Sequence, residues 1–129
     1  MLEDGELTAF IATGDIERAR AFYCGVLGFV VVEESPFALV LDANGVPVRI
    51  TPVEAPVVAP YTVLGWRVTD ATATVRALGE AGVGCERFDG MDQDADGIWT
   101  APDGDRVAWF RDPDGHVLSV NSPAAARGR

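Results

Sequence analysis

Positive charge is scarce in this sequence. Ten arginines and lysines face twenty aspartates and glutamates, for a formal net charge of -10. That balance excludes nucleic acid and anionic membrane as partners, because phosphate recognition needs clustered cations. Acidity on this scale is otherwise an ordinary means of staying soluble. Cysteine occurs twice, at Cys24 and Cys85, too few for a disulfide framework, so both thiols read as reduced. Histidine occurs once, as His116, which leaves neither a histidine-rich metal site nor a base beside Cys24 to make it a nucleophile. No apolar run approaches the ~20 residues of a membrane span. The opening Met1-Leu-Glu-Asp-Gly-Glu6 is acidic and lacks the apolar core of a signal peptide. A cytoplasmic location is expected.

What is present is a sizeable hydrophobic fraction, 48% of residues, arranged as a pattern stated twice. Asp15 opens an amphipathic run that ends at Leu27-Gly28, and Asp70 opens another that ends at Ala81-Gly82. Aspartate is a good helix N-cap and glycine a good stop. Ile16, Ala19, Tyr23, Val26 and Leu27 follow helical spacing in the first run, and Ala71, Val75, Leu78 and Ala81 in the second. Each helix is preceded by a strand, Leu7–Thr13 and Tyr61–Val68. Each is followed by strands around an Asp-x-x-Gly turn: Phe37–Leu41 and Pro47–Pro52 around Asp42–Gly45, Arg106–Arg111 and Val117–Asn121 around Asp112–Gly115. Phe29–Glu33 supplies a further strand in the first half, and Cys85–Phe88 and Ile98–Thr100 are short candidates in the second. The segment from Asp89 to Gly97 is a long acidic loop. Its Asp92, Asp94 and Asp96 have the alternate spacing of a calcium loop, but no flanking helix pair. A solvated lid, with Met91, Ile98 and Trp99 against a ligand or partner, is the simpler expectation.

The stretches Gly14-Asp-Ile-Glu-Arg-Ala-Arg-Ala-Phe-Tyr23 with Val26-Leu-Gly-Phe29, and Trp109-Phe-Arg-Asp-Pro-Asp-Gly-His116-Val-Leu118, resemble the vicinal oxygen chelate superfamily of glyoxalases, bleomycin-resistance proteins and extradiol dioxygenases. The resemblance implies an α+β fold of two βαβββ modules forming a curved mixed sheet around a pocket. It implies one domain, with module one at about 5–54, a linker at 55–60, module two at about 61–121 and a flexible tail at 122–129. It further implies a homodimer. In this superfamily a divalent metal is held by His, Glu or Gln seven residues before the capping Asp and four after the turn glycine. Here those positions are Thr8 and Val63, and Arg49 and Ser119. Valine has no donor, and guanidinium stays protonated and repels a cation. No metal and no cofactor are therefore expected.

Strand alternation names the lining that the resemblance would enclose. Thr8 and Phe10 share one face, as do Tyr61, Val63 and Arg67. Matching the modules through their turn glycines sets Phe37 and Leu39 beside Val107 and Trp109, and Arg49 beside Ser119 and Asn121. The expected ligand-binding set is Thr8, Phe10, Phe37, Leu39, Arg49, Tyr61, Val63, Arg67, Trp109, Ser119 and Asn121. Trp66, Leu118 and Val120, of opposite parity, belong under a helix. No catalytic residue is assigned, because no acid–base pair is in evidence; His116 falls at a turn and reads as structural. The composition of this lining suits an aromatic or polycyclic small molecule, held without metal and without chemistry, as in drug sequestration. Arg49 favours an anionic ligand and the acidic surface a cationic one, and both stay open. The alternative is a glyoxalase- or dioxygenase-type enzyme, lyase or oxidoreductase, with an atypical or absent metal site.

Overall fold

Asp15 and Asp70 do cap helices in the computed structural model, which describes residues 1–124. The Asp15 carboxylate accepts from the amides of Glu17 and Arg18, and that of Asp70 from the amide of Ala73. The chain divides into two compact units, Met1–Val57 and a second beginning at Val58. Each is a βαβββ module, and the class is α+β.

In the first unit, β1 (Ala9–Thr13) leads into α1 (Ile16–Arg20), which continues as a π-helical turn over Ala21–Val26. The strands β2 (Val30–Ser35), β3 (Ala38–Ala43) and β4 (Val46–Pro52) complete a sheet of order β1-β4-β3-β2, with β1 parallel to β4 and the rest antiparallel. The wide turn explains a departure from simple helical spacing. The amide of Leu27 bonds the carbonyl of Phe22, five residues back, so the adjacent Phe22 and Tyr23 are both buried, edge-on at 5.0 Å. Ile16, Val26 and Leu27 are only half-buried.

In the second unit, β5 (Leu64–Arg67) precedes α2 (Ala71–Glu80). β6 (Trp99–Thr100), β7 (Arg106–Arg111) and β8 (Val117–Ser122) give the matching order β5-β8-β7-β6. Cys85–Phe88 forms no strand: one amide, that of Glu86, bonds the carbonyl of Trp109, and the chain then leaves the sheet edge. β5 is also shorter than expected, with Tyr61 and Val63 preceding it. The flexible tail expected at 122–129 begins within β8, and its residues 125–129 lie outside the described part. Among the described residues no helix is long and apolar enough to cross a membrane.

The core of each unit follows from sheet register. In the first, Ile11, Ile50 and Leu39 lie side by side across three strands, and all are buried. In the second, half-buried Trp66 with buried Val120 and Ala108 forms one row, and half-buried Leu64 with buried Leu118 and Phe110 the next, with Trp66 stacked on Phe110 at 6.4 Å. Arg106 donates to Thr72, and the Ala71 amide to Ser122, which fixes α2 over this face.

Candidate functional site

The face of the second sheet turned away from α2 is read directly from its register. Arg67, Asn121, Val107 and Trp99 form one row across β5, β8, β7 and β6; Gly65, Ser119 and Trp109 form the row beside it. Arg67 is exposed, while Trp109, Ser119, Asn121 and Trp99 are half-buried. Phe88 meets the Trp109 ring edge-on, with centroids 5.4 Å apart and an interplanar angle of 89°. Trp99 lies 6.3 Å from it at 38°. Three aromatics thus hold one another at the β6–β7 side of a surface that is otherwise small and polar. Gly65 keeps the middle low, because a Cβ there would stand 3.2 Å from the Ser119 hydroxyl. Tyr61 and Val63, before β5, are exposed.

In the first unit the corresponding face carries Phe10, Arg49 and Val40 in one row. Phe10 is 67% exposed and Arg49 half-buried. Thr8, just before β1, is half-buried. Phe37 sits exposed in the turn between β2 and β3. Leu39 must be corrected. It pairs with Ile50, is fully buried and belongs to the opposite, core face. The residue beside Arg49 is Val40. The expected set therefore separates into Phe10 and Arg49 on one sheet, and Arg67, Trp109, Ser119 and Asn121 on the other. Sequence reasoning missed Phe88, whose irregular segment has no period to assign a face. It placed Trp99 only in a lid, since a two-residue strand shows no alternation. Ile98, expected at that lid's ligand side, is 1% exposed and belongs to the core.

The acidic loop is held by its own hydrogen bonds rather than free to swing. The Gln93 amide donates to the carbonyls of Glu86 and Gly97 at 2.9 and 2.8 Å and accepts from the amide of Phe88 at 2.8 Å. Asp94 accepts from the amides of Asp96 and Ile98 and from Arg106, while Asp96 pairs with Arg76. Arginines thus occupy two of the three carboxylates, Asp94 and Asp96, that a calcium ion would use. Burial alone would push the Asp94 carboxyl up, but the Ile98 and Asp96 amides and Arg106 outweigh it and leave it below its ordinary range. A lowered carboxyl stabilises the fold fully above the unfolded value, and loses that contribution as pH falls through the lowered one. Thermal melts from pH 7 to pH 3 should therefore show an acid-side loss of stability that shrinks in Asp94→Ala. An unchanged difference between the two proteins across that range would refute the contribution.

The positions where the resemblance implies metal ligands hold Thr8 and Arg49 in one unit and Val63 and Ser119 in the other. A neutral hydroxyl beside a permanent cation, and a hydroxyl beside an alkyl group, do not make donor sets for a divalent ion. His116 is buried, and its amide bonds the Asp112 carboxylate within the β7–β8 turn. Burial pushes both the Cys24 and Cys85 thiols up, the reverse of what a nucleophile needs. Among the described residues no three His, Cys, Asp or Glu side chains are grouped to hold a metal.

The family model for the Glyoxalase/Bleomycin resistance protein/Dioxygenase superfamily matches residues 7–120. Among solved structures, a glyoxalase family protein from Enterococcus faecalis is similar, with TM-score 0.73 and 21% identity over 94% of this chain and 99% of that one. A lactoylglutathione lyase from Agrobacterium tumefaciens aligns with TM-score 0.72 and 14% identity, over 95% and 96% of the two chains. A glyoxalase/bleomycin resistance protein/dioxygenase from Alicyclobacillus acidocaldarius gives TM-score 0.70 and 16% identity, over 98% of each chain. At these identities the likeness is one of fold. No curated protein matches the sequence.

Proposed function

This chain belongs to the glyoxalase/bleomycin resistance protein/dioxygenase superfamily, and from that premise we propose that it is a metal-independent small-molecule-binding protein with an aromatic or polycyclic ligand. The observation that carries this reading is the aromatic cluster of half-buried Trp109 and Trp99 with the exposed Phe88, beside Ser119, Asn121 and Arg67. A rigid aromatic surface next to a few polar groups is what a planar ligand needs for area and orientation. No acid–base pair accompanies it, so the ligand is held and not transformed. Sequestration of a toxic compound is the simplest use of such a surface. Association as a homodimer is part of the same proposal and rests on the family alone.

The alternative, an enzyme of lyase or oxidoreductase type, takes its support from the lactoylglutathione lyase with which the fold aligns. Its metal site would be atypical or absent, because the residues at Thr8, Arg49, Val63 and Ser119 do not suit a divalent ion. Elemental analysis of the purified protein should find no stoichiometric zinc, iron, manganese or nickel. Stoichiometric metal would overturn the metal-independent reading. A titration of Trp fluorescence with anilinonaphthalene sulfonate should saturate, and Trp109→Ala should weaken it about tenfold, the loss of one stacking partner. If that variant is destabilised with its dye affinity intact, Trp109 is a packing residue and the site lies elsewhere.

A further inference from the structure

Among the described residues, most arginines of this acidic chain are spoken for. Arg20 pairs with Glu17 and Glu34, Arg76 with Asp96, Arg106 with Asp94 and Arg111 with Glu86. Arg87 donates to the carbonyls of Asp94 and Ala95, and Arg18 is also engaged. Among the described arginines, only Arg49 and Arg67 have side chains with no hydrogen-bonding or ionic partner. Each stands on the face of its sheet turned away from the core. The rows around Arg67, namely Asn121, Val107 and Trp99 with Gly65, Ser119 and Trp109, contain no carboxylate. Glu86, which runs beside β7, is held by Arg111. The excess negative charge of the chain is therefore kept off this surface, and the charge left open on it is a guanidinium.

We propose that Arg67 takes the carboxylate of an aromatic acid whose fused ring lies over Gly65 and Ser119 and against Trp109. This deepens the ligand-binding reading above and rests on it. Guanidinium matches a carboxylate with two parallel N–H donors, and the Asn121 amide in the same row adds a third. Arg67 and Trp109 stand two strands apart and one row apart along the strands, roughly 12 Å at ordinary strand spacing and rise. A bicyclic acid spans that interval once the arginine side chain reaches inward. Gly65 matters because any larger residue would fill the floor between the two groups. The geometry thus decides between the anionic and cationic ligands that the sequence leaves open.

The test compares 2-naphthoate with 2-naphthamide, its neutral isostere, by isothermal titration calorimetry on the full chain. Naphthoate should bind about tenfold more tightly, the scale of one charge-assisted hydrogen-bonded pair over a neutral one. Arg67→Met should abolish that preference, weakening naphthoate more than naphthamide, while leaving the melting temperature unchanged, because the Arg67 side chain is exposed and unpaired. Equal binding of the two probes, or a preference that survives in Arg67→Met, would overturn the anion assignment and leave the ligand-binding reading standing. Failure of both probes to bind would overturn both.

Discussion

Leu39→Ala should cost about 2–5 kcal/mol of stability, the usual range for truncating a buried leucine, whereas Val40→Ala should cost about 1 kcal/mol or less. Urea unfolding of the two variants measures this directly. Leu39 is fully buried and sits in register with Ile50, itself beside Ile11, so its removal opens a void in the centre of the first unit. Val40 lies one residue on, on the other face, next to Arg49. The two positions have opposite parity, so the contrast is sensitive to a slip of a single residue. If Val40→Ala proved the costlier change, the register of β3 would be inverted, and Leu39 would return to the face that carries Phe10 and Arg49.

That contrast also marks the limit of what the sequence discloses. The Asp caps, the duplicated βαβββ order and the antiparallel pairs around each Asp-x-x-Gly turn were legible, because capping chemistry and turn residues are local. The length of each turn was not. β3 and β4 are joined by two residues, Asn44 and Gly45, both at positive φ, after the Ala43–Val46 pair. β7 and β8 are joined by Asp112–His116, after the Arg111–Val117 pair. Equating Gly45 with Gly115 aligns Arg49 correctly with Ser119 after the turn, but misaligns the strands before it by one residue. Val40, not Leu39, is the counterpart of Trp109. The same non-locality hides Phe88 and Gln93. Their roles depend on hydrogen bonds made across an irregular loop, which no periodicity encodes. Arg67 and Arg49 were legible as residues, but their lack of a partner depends on where every carboxylate went.

Gly97→Ala should be among the most damaging single-methyl changes in the second unit, at about 2–5 kcal/mol. Two costs combine. Gly97 has φ +87°, where an L side chain meets its own backbone, a penalty of roughly 1–2 kcal/mol. The added Cβ would also stand 2.8 Å from the Cβ of Cys85, in a position that is already buried. Overpacking of that kind costs about 1–3 kcal/mol when the neighbour cannot withdraw. Cys85 has little room to withdraw, because its neighbour Glu86 is tied to β7 by the hydrogen bond its amide donates to the Trp109 carbonyl, and the Gly97 carbonyl is gripped by Gln93. The two costs separate in a double mutant. Cys85→Ala keeps the offending Cβ and should give no relief in the Gly97→Ala background. Cys85→Gly removes it and should recover the packing part, leaving the backbone part in place. Equal rescue by both would mean that the sulfur and not the Cβ is the obstruction. No rescue by either would place the whole cost in the backbone. The functional consequence follows from the same contacts. Gln93 ties Gly97 to Phe88 and to the segment that braces Trp109, so forcing the chain apart at Gly97 should loosen the aromatic cluster. A loss of 2-naphthoate affinity in Gly97→Ala, measured well below its melting temperature, would tie the loop to the site.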